Sequence, residues 1–505
     1  MTITAYGTGA YRSATPNSFA TSRSDLADLE RQLATQKRAE SYGDLGMDRR
    51  TSLDLNAKVS TLDSWLSGIA LADVNLKLST QAVENFAKLT AEIVNDTRSN
   101  SYVPSSTGRS APQVLAEEKL KQTLDLLNSS VNGRYLFSGK TSNIEPAEDF
   151  NTIIHGGDGR DGLKTLIEER QAADDVGGTG RLIAAGAGAV ATVTRDNVHN
   201  QYGFALTTPP AVSSSPAMVV TPLAAPVGFS VDVVTQPAVG DTLRFKLTLP
   251  DGSQEEVVLT ARAPGTVGDP AKSFEIGADM DATADSLRSA IGASLGKEAA
   301  TSLRAASASW TANDFFNYAN DPVPANRQPH RVPALLTDPM EAATPTETVF
   351  WYKGESSDLR ARDTATVQVD KGQIVGTGAR ANEEAFAIGL AQFAVMAIET
   401  FPAGNPNSQA GYEAMIARVS DNLGFGDGVQ KPAEIITELG SAQTSLARAK
   451  ERHDSTKNYL TTTLAGVENV TTEEVAVQIL ALQTRLQASY QTTAILSQLT
   501  LTNYL

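Results

Sequence analysis

Thr471–Leu505 reads TTEEVAVQILALQTRLQASYQTTAILSQLTLTNYL, a stretch without proline or glycine. Val475, Ile479, Leu482, Leu486, Ser489, Thr493 and Leu496 fall at alternating spacings of four and three. That is the a/d seam of a helix that packs on other helices. Thr471 with Glu474 makes a capping box, which places the helix start. The seam lapses at Ser489 and Thr493, while Leu480, Ile495 and Leu499 lie off it. Apolar residues on more than one face want more than one neighbour. A helix buried in its own domain would satisfy the same pattern, so the other end of the chain has to decide.

That end is helical too. From Phe19 to about Ala39, Leu26, Leu29 and Leu33 mark an amphipathic helix, and Ser41–Gly46 (SYGDLG) reads as its break. Leu55, Val59, Leu62, Leu66, Ile69, Asp73, Leu76, Thr80, Val83 and Ala87 then keep the four-three spacing, with Asp73 and Thr80 as polar lapses. A seam sustained over several heptads is a stronger coiled-coil signal than the C-terminal one. After the loop SYVPSSTGRSAP (Ser101–Pro112), a third helix from about Gln113 carries Leu120, Leu124, Leu127 and Val131 on one face. Gly133 stands where a helix-terminating glycine belongs, and NGRYLFSGKTSNIEPA follows as a short extended piece between turns.

Between about Phe150 and Arg380 the heptads vanish and Gly, Pro, Thr and Val rise. Leu243, Phe245, Leu247 and Leu249 alternate with polar residues, PDGS turns, and EEVVLTA returns, which predicts a β-hairpin. Ala284, Leu287 and Ile291 suggest a short helix after it. Thr348–Tyr352 and Thr364–Val369 read as further strands, the second ending in a Lys371-Gly372 turn. Helices resume at Asn382, the first apolar nearly all round and hence buried. Tyr412, Ile416, Val419 and Leu423 make the next. In the last before Thr471, Ile435, Leu439, Ala442, Leu446, Ala449, His453, Thr456 and Leu460 again step four and three. The expected fold is therefore α+β, with long helical arms at both ends around a β-rich insert of one or two parts.

The chain has 505 residues, too many for one core. A net charge of -16 leaves no basic surplus for phosphates, so nucleic acid is not an expected partner. No apolar run approaches a membrane span, and the first residues have no apolar h-region, so neither a membrane partner nor a cleaved signal peptide is expected. Cysteine is absent, as in a cytosolic protein that happens to lack it or in a chain that leaves the cell unfolded.

Motifs for chemistry are few. Gly157-x-Gly159-x-x-Gly162 imitates a dinucleotide fingerprint without a βαβ pattern around it, and Ser138-Gly139-Lys140-Thr141 imitates the tail of a P-loop without the helix. Both are expected to be turns. His155, His199, His330 and His453 have no metal-ligand spacing, and His453 stands at a heptad core position. Asp279, Asp281 and Asp285 lack the glycine and Glu of a calcium loop and are expected to cap the next helix. No catalytic residue, cofactor or metal is predicted.

Asn132-Gly133-Arg134-Tyr135-Leu136-Phe137-Ser138-Gly139, following a long helix, resembles a segment of the flagellin family. The resemblance covers about residues 19–140 and 375–505. Gln483-x-x-Leu486-Gln487-Ala488-Ser489-Tyr490 and the closing Leu501-Thr502-Asn503-Tyr504-Leu505 are more similar to the hook–filament junction members of that family than to its filament subunits. Filament flagellins end in a Leu-Leu-Arg-type tail and carry an Arg-Ile-Asn-Ser motif near the first helix break; here that break reads Lys37-Arg38-Ala39-Glu40-Ser41-Tyr42-Gly43.

The resemblance implies arms that pair as a discontinuous coiled-coil bundle inside a tube. Residues 1–50 with 465–505 would be terminal arms, disordered until assembly, and 51–150 with 380–464 a helical rod. Residues 151–379 would be an outward-facing insert. The implied location is extracellular, in the bacterial flagellum, after type III export. The implied partners are copies of the chain in a helical ring, the neighbouring hook-associated junction protein, flagellin and an export chaperone. The assembly seam would be Leu55, Val59, Leu62, Leu66, Ile69, Ile435, Leu439, Leu446, Val475, Ile479, Leu482, Leu486 and Leu496. Two alternatives stay open: a divergent flagellin, and a secreted enzyme on a flagellin-like frame, which would need a pocket with convergent polar groups in residues 150–380.

Overall fold

The longest apolar seam in the sequence becomes the longest helix, α2 (Arg49–Ser99), which runs without a break because no Pro interrupts it. The computed structural model describes residues 9–99, 102–321 and 327–502, with side chains over 19–98, 102–321 and 327–495. Helix and sheet are both substantial, an α+β architecture. Contacts divide the chain into two units, Met1–Leu71 with Gln368–Ile374 and Ser445–Leu505, and Ala72–Val367 with Val375–Thr444.

The first unit is built from α1 (Gly9–Thr35), the start of α2, the end of α10 (Pro432–Glu468) and α11 (Thr472–Thr502). α1 starts at Gly9, earlier than the expected Phe19. It runs antiparallel to α11: Phe19 stacks on Tyr490 near one end, and Lys37 bridges Asn469 at the other. α2 and α10 are antiparallel as well, since Asn56 meets Glu468 and Asp63 meets Lys457. At the head of α11, Thr471 Oγ1 accepts the Glu474 N–H at 3.2 Å, the expected cap.

The second unit holds α2 from Ala72 onward, α3 (Ala111–Leu127), α4 (Phe150–His155) and α5 (Leu163–Asp174). It also holds α6 (Met280–Glu298), α7 (Arg304–Asn317), α8 (Glu384–Ile398), α9 (Ser408–Asn422) and the start of α10. α8 is buried nearly all round, as its composition predicted. Phe86 of α2 and Phe137 each set a ring edge-on against Phe386 of α8, at 5.0 and 5.7 Å. The contact is so close that a Cβ on Gly389 would lie 2.5 Å from the Phe86 ring.

β1 (Ser130–Val131) and β2 (Arg134–Tyr135) form a tight hairpin. Asn132 and Gly133 at its tip have φ of 51° and 73°, the two left-handed residues that a type I′ turn requires. Gly133 thus serves this turn and not the end of α3, which stops at Leu127 with Asn128 as its cap.

Two four-stranded sheets make the β-rich part. One has the order β3 (Leu182–Ala185), β4 (Val190–Arg195), β7 (Val227–Val233), β6 (Met218–Ala224). The other has the order β10 (Ser273–Glu275), β9 (Gln254–Arg262), β8 (Thr242–Thr248), β5 (Ala205–Ser213). The predicted hairpin is β8–β9, with Leu243, Phe245 and Leu247 inward and Arg244 and Lys246 outward. Phe229 and Phe245 meet across the sheets at 5.5 Å, and Leu287, Ile291 and Leu295 of α6 complete that core. The helix predicted around Ala284–Ile291 is longer than expected and passes through a π turn at Ala299–Leu303 into α7.

The remaining pairs are short: β11 (His330–Arg331) with β12 (Glu341–Ala342), and β13 (Thr366–Asp370) with β14 (Gln373–Gly376). β13 and its Lys371-Gly372 turn match the sequence reading. Thr348–Tyr352 is not a strand. Thr348, Val349, Trp351 and Tyr352 are all buried, but the segment meets only isolated partners, Thr348 with Asp161 and Tyr352 with Ala147. A strand needs a continuous neighbour, and none lies beside it.

Candidate assembly surface on the terminal helices

Every position of the α2 seam faces away from water at least in part. In the first unit Leu55, Leu62 and Ile69 are buried, while Val59 and Leu66 are half-buried. Leu446, Ala449 and His453 of α10 are buried in the same unit. Polar fasteners flank this apolar line. Asn56 Nδ2 donates to Glu468 Oε1 at 3.0 Å, Ser52 donates to the same carboxylate, and Lys457 pairs with Asp63 at 2.6 Å. His453 packs 5.3 Å from the Trp65 ring and bonds the Val369 carbonyl, so it is a packed core histidine. In the second unit Ile435 and Leu439 are fully buried, and Gln443 Nε2 donates to Thr80 Oγ1 at 3.0 Å, which turns one polar lapse of the seam into a contact.

The C-terminal seam is different. Val475 is 1% exposed, but Ile479, Leu482 and Leu486 are only half-buried, and the side chain of Leu496 lies outside the described residues. Val475 is the one buried residue among the described side chains of α1 and α11. The opposite side of α11 is open: Val477 is 65% exposed, Leu480 63% and Ile495 55%. Leu480 and Ile495 are two of the off-seam residues singled out by spacing. Sequence reasoning missed the Glu468 clasp and the Phe19–Tyr490 stack, because polar and aromatic pairs on different helices leave no periodic trace.

An α11 face of this kind can do one thing chemically, which is to bury apolar area on another surface. Each such side chain fully covered stabilises by about 1.5–3 kcal/mol. Association costs about 4–15 kcal/mol, so these few residues hold a partner only as part of a larger contact.

The nucleotide-like motifs are turns. Gly157–Gly162 follows helix α4 instead of a strand, with Gly157 bridging Arg160, and Gly162 caps α5. Ser138 Oγ donates within its own turn to the Ile144 carbonyl at 2.7 Å. Asp279 caps α6 by accepting the Ala282 N–H at 2.8 Å. Among the described residues no group of three His, Asp or Glu side chains could hold a metal ion, and no helix is long and apolar enough to cross a membrane.

Two polar hollows do open in the second unit, of about 410 and 240 Å³, with Trp310 in the wall of each. His330 lines the larger one, its Nδ1 2.7 Å from Asp314 Oδ1. No family model matches the chain, and no curated protein is similar to it at a significant level.

Proposed function

We propose that this chain is a structural subunit of the bacterial flagellum that assembles at the distal end of the hook and joins hook to flagellin filament. One observation carries the reading: α11 keeps Val477, Leu480 and Ile495 in water while Ile479, Leu482 and Leu486 of its seam are only half covered. Isolated exposed apolar residues need no explanation, but a helix open on two faces fits a chain completed by its neighbours. The sequence resemblance adds to it. Phe137 of the flagellin-like segment anchors on Phe386 beside α2, so the segment has a packing role in this fold.

In this reading the paired arms form a coiled-coil bundle on the inside of a tube, and residues 151–379 face outward. Copies of the chain meet head to tail in a helical ring, a heterologous contact whose rotation propagates the array. The hook-associated junction protein lies on one side and flagellin on the other. The chain leaves the cell unfolded through the flagellar export channel with an export chaperone, needs no cofactor and carries no catalysis. A divergent flagellin is the second reading, because the segment around the β1–β2 hairpin suits a filament subunit equally.

Gold-labelled antibody raised against residues 182–275 separates the two on intact cells. A junction subunit gives one cluster of gold where hook meets filament. Labelling along the whole filament makes the chain a flagellin, and absence of label from flagella ends the proposal.

A further inference from the structure

We propose that the groove around Trp310 binds a short neutral oligosaccharide. Both hollows share Trp310, and the β8–β9 turn lies beside them, giving Pro250 to one and Asp251 to the other. The Arg170 guanidinium lies 4.5 Å from the Trp310 ring and holds it in place. The remaining walls are rich in carboxamides: Asn313, Asn317, Asn320 and Gln328 in the larger hollow, Asn200 and Gln201 in the smaller.

Three of these carboxamides are oriented by the protein. Asn313 Oδ1 accepts from Gln392 Nε2 at 3.1 Å, Asn317 Oδ1 from Asn320 Nδ2 at 2.7 Å, and Gln201 Oε1 from the Met340 N–H at 2.9 Å. With the oxygens so engaged, the NH₂ groups of all three make no hydrogen bond to the described residues, and they stand as fixed donors for ligand oxygens. Three carboxylates line the larger hollow, Asp251, Asp314 and Asp321. Asp314 accepts from the N–H and ring Nδ1 of His330, and Asp251 pairs with Arg418 at 2.7 Å.

Fixed amide donors, an aromatic face and a carboxylate-lined wall suit a ligand with many oxygens and no negative charge. An indole presents an apolar face with one polar handle, the partner that the C–H face of a sugar ring needs. A phosphate or uronate in the larger hollow would meet the carboxylates of Asp251, Asp314 and Asp321, with no lysine or arginine among its described lining residues to receive it. The groove is a pre-formed concavity with convergent polar groups, the usual form of a small-molecule site. This inference is independent of the flagellar reading.

Saturation-transfer NMR on the full-length chain tests it, with maltotriose, cellotriose and chitotriose as neutral probes and trigalacturonate and AMP as charged ones. The expected result is transfer to at least one neutral trisaccharide, weakened at least about ten-fold in Kd by Trp310→Ala and by Asn317→Ala. Circular dichroism accompanies each variant; if Trp310→Ala loses its fold, Asn317→Ala decides. Transfer to none of the neutral probes, transfer unchanged by the informative variants, or transfer confined to trigalacturonate or AMP would overturn the proposal.

Discussion

His330 is the side chain with the clearest dependence on pH. Its hydrogen bond to Asp314 raises its pKa above 6.5; burial pulls the other way, and the charges of Asp314 and Asp321 reinforce the rise. A folded-state pKa above the unfolded one means that the stabilisation is complete below the unfolded value and fades as pH rises through the folded value. The melting temperature of the wild type should therefore exceed that of His330→Phe most on the acid side of 6.5, and the gap should narrow towards alkaline pH. Thermal melts across that range check it; a gap that widens with pH contradicts it. A second polar knot is held by geometry alone. Asp174 accepts from Arg170 Nε at 2.7 Å, Ser307 Oγ at 2.7 Å and the Gly203 N–H at 2.9 Å, so a buried charge pair keeps all its partners. Neither arrangement is visible in sequence, where Asp314 and His330 are sixteen residues apart and Asp174 and Ser307 still further.

At the level of the helix, the same heptad reading separates into two kinds of site. Ile69 is 1% exposed, so Ile69→Ala should cost about 2–4 kcal/mol and lower the melting temperature of the isolated chain. Leu486 is half-buried, and a carboxylate placed there can still reach water. Leu486→Asp should cost the isolated chain about 1 kcal/mol or less, yet block incorporation into flagella while export continues. Melting of the purified variants, with immunoblots of flagella and medium, reads both; a melting loss for Leu486→Asp equal to that of Ile69→Ala puts this helix in a monomer core. Periodicity made the α2 seam legible, and alternation revealed β8 and β9. Both fail where glycine is dense: β3 and β4 turn around Gly186 and Gly188, whose φ values of 136° and 59° replace any hydrophobic signal. Residues 348–352 misled for the opposite reason, a run of β-branched and aromatic residues with no strand to pair with. Trp310, Asn313 and Asn317 share one face of α7, but the Trp310 groove was illegible because its other walls, Asn200 with Gln201 and Pro250 with Asp251, come from distant segments.

For the molecule as a whole, composition and fold point the same way. In the proposed role, a charge of -16 would keep free copies apart, and the open α11 face would meet a neighbouring copy once both are held in register. The proposed role is narrow enough to fail cleanly. Deleting the gene from its source bacterium and assaying both hooks and culture medium tests it most directly. The expected result is complete hooks without filaments and flagellin monomers shed into the medium, reversed by the wild-type gene. Normal filaments, or filaments that are merely shortened on intact junctions, would contradict it.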